Sequence, residues 1–144
     1  MGKKRIISKP GAEAEGGEGK RGTVRMQKKR VAGGIMHIQS TFNNTKLLLT
    51  DQGGNTLAWS SSGSLGFKGA KKGTPYAASK VTEVMAEKAD TFGIKRLDVV
   101  LRGVGTGRES AIRTISARGF EIGSIKDVTP IPHNGPRPPK PRRV

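Results

Sequence analysis

Apolar and polar positions divide the chain into a patterned middle and two ends without a pattern. Ile35 to Thr41 is rich in β-branched residues and reads as a strand, Asn43-Asn44 as a turn, and Lys46 to Thr50 as a second strand. Asp51-Gln52-Gly53-Gly54-Asn55 supplies turn residues that close a hairpin into a third strand, Thr56 to Ser60. Residues 61–73 are small, polar and basic, the composition of a loop. Thr74-Pro75 then marks a helix start, with Thr as cap and Pro in the first turn. Ala77, Ala78, Val81, Val84, Met85, Ala89 and Phe92 follow at helical spacing, and Gly93 ends the run. Leu97 to Leu101 is a short apolar-rich strand, residues 103–107 a glycine turn, Arg108 to Arg118 a second helix, and Phe120 to Val128 a last strand.

The order β-β-β-α-β-α-β predicts an α/β fold. Three strands joined by tight turns form a meander, and two helical crossovers extend it into a mixed five-stranded sheet with helices packed on its faces. Six prolines between Pro130 and Pro141 then exclude a helix or a central strand, so residues 130–144 read as an extended, stiff arm. Residues 11–22 are rich in Gly and Glu without large apolar side chains and read as a flexible linker. The division is therefore a basic N-terminal extension (1–33), a folded domain (34–129) and a C-terminal tail (130–144). Of the 30 Leu, Ile, Val and Phe residues, 24 fall in 34–129, so the middle can bury a core and the ends cannot.

Charge changes the picture next. The chain carries 27 Lys and Arg against 11 Asp and Glu, a formal net charge of +16 on 144 residues. The N-terminal extension holds +7 of this and the tail +4, on segments with little to bury. Such arms gain affinity for polyanions by releasing condensed counterions from phosphates, which points to nucleic acid. A membrane surface fits less well, because neither arm has an amphipathic helix with large apolar residues. With no Cys and only His37 and His133, a zinc finger, an iron–sulfur site and a disulfide framework are all excluded, and no metal or cofactor is expected. The basic start leads into Gly-Ala-Glu rather than an apolar stretch, which does not read as a signal peptide.

Two loops carry the candidate chemistry. Gly103-Val104-Gly105-Thr106-Gly107-Arg108 joins a strand to a helix, where amides and the helix dipole favour an anion. Arg108 stands where a dinucleotide fold needs its third glycine, and no P-loop Lys-Ser/Thr follows. With Arg102 and Arg108 flanking the turn, a polynucleotide phosphate is the expected anion; a merely tight turn is the plainer reading. Residues 66–73 set Lys68, Lys71 and Lys72 among glycines, giving charge and close approach without base readout. Aromatics make up only 4% of the chain, so shape and phosphate recognition of a folded RNA is expected over general base stacking. Catalysis finds no support: the eight acids of the middle are scattered, His37 reads as a structural histidine, and no nucleophile elbow or triad is present.

The stretches IQSTFNNTKLLLTDQGGNTLAWSSSGSLGFKGAKKGTPYAAS (38–79), RGVGTGRES (102–110) and DVTPIPHNGPRPPKPRRV (127–144) resemble the small ribosomal subunit protein eleven family, bacterial type. The resemblance spans about residues 31–144. It implies a ribonuclease-H-like, three-layer α/β/α fold. It also implies binding to small-subunit (16S-type) rRNA at the platform, beside ribosomal proteins seven and eighteen and near the mRNA exit side, in the cytoplasm. Asn43, Asn44, His133 and Asn134 lie in the matching stretches and join the expected RNA contacts. So do Gly103, Gly105 and Gly107 of the turn, and Arg137, Lys140, Arg142 and Arg143 of the tail. Asn134-Gly135 is also a candidate for isoaspartate formation, since Gly offers little hindrance to attack by its own nitrogen. The chain departs from the family pattern at Val104 and Thr106, where prolines are usual, at Pro136, where Cys is usual, and at Pro141 within the final basic cluster. A free RNA-binding or RNA-chaperone protein would explain the charge but not the tail. A ribonuclease-H-like nuclease would need a carboxylate on the first strand, and Ile35 to Thr41 has none.

Overall fold

The structure, a computed structural model, describes residues 30–141. Five strands, β1 (Gly33–Ser40), β2 (Thr45–Asp51), β3 (Thr56–Ser61), β4 (Arg96–Arg102) and β5 (Glu121–Asp127), form one sheet in the order β3-β2-β1-β4-β5. Helix α1 (Pro75–Phe92) links β3 to β4, and α2 (Gly107–Ala117) links β4 to β5. β2 is antiparallel to both its neighbours, whereas β1, β4 and β5 pair in parallel. The expected α/β class, the mixed five-stranded sheet and the element order are all present. The segment read as pure loop contains a short 3-10 turn, Gly69–Gly73, too local for a periodic pattern to reveal.

Strand alternation sends one set of side chains to a single core. Met36 and Ile38 of β1, Leu47 and Leu49 of β2, and Leu97, Val99 and Leu101 of β4 are all buried. They meet Val81, Met85, Ala86 and Ala89 of α1 and Ala111 and Ile115 of α2. α1 starts where Thr74 Oγ1 accepts the Ala77 amide at 3.3 Å, and Pro75 needs no partner for an absent N–H. It stops at Gly93, whose φ of 74° is costly for any residue with a Cβ, and the reversal drives Ile94 into the core.

The layer count differs from the one the family resemblance implies. The two helices pack against each other on the same sheet face, so the described residues form two layers rather than three. The reason is topological. β3, β4 and β5 run parallel, and both crossovers, β3 to β4 and β4 to β5, step in the same direction across the sheet. Right-handed crossovers stepping the same way must leave their helices on the same side. The opposite face stays open. His37, Leu48, Trp59 and Val100 lie across it, beside Lys46 and Arg102, around a groove of about 410 Å³.

Leu49 has no exposed surface at the centre of this core, so Leu49→Ala removes burial and leaves a cavity. The expected loss is about 2–5 kcal/mol, read from urea unfolding as a lower midpoint at an unchanged slope.

Candidate nucleic-acid interface

Because β1, β3, β4 and β5 all run the same way, their carboxyl ends share one edge of the molecule, the end of an α/β sheet where ligands gather. The β1–β2 turn (41–44), the loop 62–73, the glycine turn 103–107, both helix N-termini and the start of the tail all lie there. This edge, hereafter the rim, collects the residues that the sequence marks as candidates.

The rim is bound together by backbone packing. A Cβ on Gly103 would stand 2.1 Å from the Ser40 carbonyl oxygen, and one on Gly105 would stand 2.4 Å from that of Thr41. On Gly107 it would meet Thr45 Oγ1 at 2.7 Å, and on Gly73 the Phe42 carbonyl oxygen at 2.1 Å. Close approach within the protein therefore accounts for these glycines. The Gly105 amide donates to the Ser40 carbonyl at 3.0 Å, and Thr106 Oγ1 donates to the Gly73 carbonyl at 3.0 Å. Ser62 completes the knot: its hydroxyl contacts Asn44 Oδ1 at 2.9 Å, the Lys72 carbonyl at 2.8 Å and the Thr45 carbonyl at 3.1 Å. Asn44 thus braces the turn as well as bordering the surface.

The tail is anchored by a second set of bonds. The Val128 amide donates to the Leu101 carbonyl at 2.9 Å, and Thr129 Oγ1 accepts the Gly103 amide at 3.1 Å. Asp127 accepts from the Thr129 hydroxyl and amide at 2.6 and 2.9 Å and pairs with the Arg108 guanidinium. Arg108 also donates to the Gly103 carbonyl at 2.7 Å. The residue read as a phosphate ligand is thereby tied into the protein, as a clamp between turn and last strand. Its partner is nineteen residues away in sequence and carries no local signal.

The remaining cations differ. Lys68, Lys71, Arg102, Arg137 and Lys140 are exposed, Lys72 is half-buried, and none forms an ion pair among the described residues. Lys46, which pairs with Gln39 opposite Arg102, extends this charge onto the open sheet face. Nothing in the sequence marks Lys46, because only the strand register aligns it with Arg102. His133 and Asn134 lie on the exposed tail, with Asn134 in the left-handed conformation at φ 55°. Arg142, Arg143 and nearly all of the N-terminal extension lie outside the described residues. His37 bonds Thr50 Oγ1 at 3.3 Å, and partial burial lowers its pKa, as suits a structural histidine. Among the described residues no cluster of His, Asp and Glu could hold a metal ion, and no helix is long and apolar enough to cross a membrane.

A basic α/β protein with unpaired cations gathered at the carboxyl ends of its strands belongs to the class that binds nucleic acid through phosphates. The family model described as ribosomal protein S11 matches residues 34–143, and the chain belongs to that family. Membership makes it a structural, non-enzymatic constituent of the small ribosomal subunit that binds rRNA.

Asp127 supplies a pH test of the anchor. Bonds from Thr129, and then from Arg108, hold its carboxyl at about 2, below the ordinary 3.8. A depressed carboxylate contributes stability above its unfolded value and loses it as pH falls through the folded one. In an NMR titration the Asp127 carboxyl is expected to change near pH 2, with the Thr129 amide following. A midpoint near 3.8 would mean that the anchor is open in solution.

Proposed function

We propose that the rim is the surface that docks this protein onto folded small-subunit rRNA, at the platform near the mRNA exit side. The observation that carries the reading is the convergence of Lys68, Lys71, Lys72 and Arg102 with the anchored root of a tail bearing Arg137, Lys140, Arg142 and Arg143. The loop lysines contact phosphates without reading bases. Asn43 offers a short polar side chain at the tip of the turn, and Gly103, Gly105 and Gly107 hold that turn in place from behind by packing against Ser40, Thr41 and Thr45. The tail, through His133 and the four cations, threads between RNA elements. Ribosomal proteins seven and eighteen are the proposed neighbours and the cytoplasm the proposed compartment. In this position the protein supports assembly and translation.

Changing Arg137, Lys140, Arg142 and Arg143 to Ala is expected to weaken rRNA binding and flatten its dependence on salt. Removing one phosphate contact reduces the slope of log K against log salt by roughly 0.7–0.9. An unchanged slope would remove the tail from the interface. Sedimentation after a high-salt wash separates an integral component, retained at stoichiometry with the small subunit, from a free RNA-binding protein, released to the top of the gradient.

Asn134 is proposed as a modification site in the same tail. Attack of the Gly135 nitrogen on the Asn134 side-chain carbonyl expels ammonia, and water then opens the cyclic imide to isoaspartate. Peptide mapping of assembled particles is expected to find Asn134 converted; an intact amide throughout would overturn this.

A further inference from the structure

A surface that only neutralised phosphates would need cations, amides and hydroxyls. The rim carries something else. Phe42, at the β1–β2 turn, is 74% exposed, and Val104 in the glycine turn is 59% exposed. Single exposed apolar side chains are ordinary, but Phe42 is set in a rigid mount.

Its backbone is pinned from both sides. The Thr41 amide donates to the Asn44 carbonyl at 2.8 Å, and Thr41 Oγ1 accepts the Asn44 amide at 3.1 Å. The Phe42 carbonyl is pressed against Gly73 so closely that no side chain fits there, and the Thr41 carbonyl is packed in the same way against Gly105. Asn43 beside it is exposed as well and makes no hydrogen bond to other described residues. Lys72 directly precedes the glycine on which the Phe42 carbonyl rests. The result is a hydrogen-bonded, closely packed backbone carrying an aromatic ring outward, beside cations that form no ion pair among the described residues. Fixing the mount in advance reduces the ordering cost of binding, and every nucleobase offers a flat apolar face to such a ring.

We infer that Phe42 is a base-contacting residue, stacking on an unpaired nucleobase of the rRNA that the surrounding lysines hold by its phosphates. A base that is paired and stacked inside a helix has no free face, so the ligand is a bulged or looped nucleotide. The inference rests on the rim being the rRNA-docking surface. It adds to that reading a site that distinguishes an open base from continuous duplex, which phosphate contacts alone cannot do.

The test uses the full chain and small-subunit particles lacking only this protein, with affinity measured at several salt concentrations. Phe42→Ala is expected to weaken binding about tenfold at every salt concentration with the salt slope unchanged, because every phosphate remains paired with its cation. Phe42→Tyr is expected to bind like the parent, and Phe42→Leu, equally apolar but without a ring, like Phe42→Ala. Replacing Lys68, Lys71 and Lys72 with Ala is expected to lower the slope. If the lysine variant loses affinity while Phe42→Ala matches the parent, the stacking assignment fails and the docking surface stands. If neither variant changes binding, the docking surface itself fails. A photoreactive p-benzoylphenylalanine at position 42 is expected to crosslink to rRNA; crosslinks to protein alone would overturn the inference. Comparable thermal unfolding of parent and variants excludes misfolding as the cause.

Discussion

Two polypeptide backbones cannot approach within touching distance through a Cβ, and at one end of this molecule three segments meet at that distance. The β1–β2 turn lies under the glycine turn at Gly103 and Gly105 and against the 3-10 turn at Gly73. Everything at the rim follows from this interlock. It sets how far the loop lysines stand from the tail root, brings Thr106 onto the Gly73 carbonyl, and leaves the turn between Thr41 and Asn44 closed by its own hydrogen bond. The packing at this turn is carried by its glycines rather than by Val104, which is exposed, or Thr106.

Electrostatics then divides the cations of the rim into two populations. Arg108 faces a carboxylate and a carbonyl and holds the fold together. Lys68, Lys71, Lys72 and Arg102 form no ion pair among the described residues. A net charge of +16 does not distinguish them. Pairing does, and it turns a general attraction for polyanions into a surface with a fixed position.

How much of this was legible in the sequence depends on the range of the interaction. The strands, the capped helix and its Gly93 stop are local, and Thr74-Pro75 and the β-branched runs announced them with boundaries shifted by only one or two residues. The side of the sheet on which each helix lies was not local. It depends on strand order, and once β3-β2-β1-β4-β5 is known the common handedness of the crossovers decides it. The glycine turn was legible as a feature, with its cause open between a tight turn and a phosphate cradle; the neighbouring backbone of Ser40 and Thr41 explains its glycines as packing. Phe42 gives no signal of its own because it falls between a strand and an Asn-Asn turn, where periodicity does not say which way a side chain faces.

The interlock also has a consequence for timing. Its parts come from positions near 42, 73, 105 and 129, so the rim is complete only after the last strand has joined the sheet and Thr129 has bonded to Gly103. A chain emerging from synthesis N-terminus first carries its basic extension early but holds no shaped surface until nearly its full length is out. Weak, shape-blind attraction to RNA therefore precedes selective docking, and a truncated chain lacking β5 keeps most of the charge while losing the geometry that directs it.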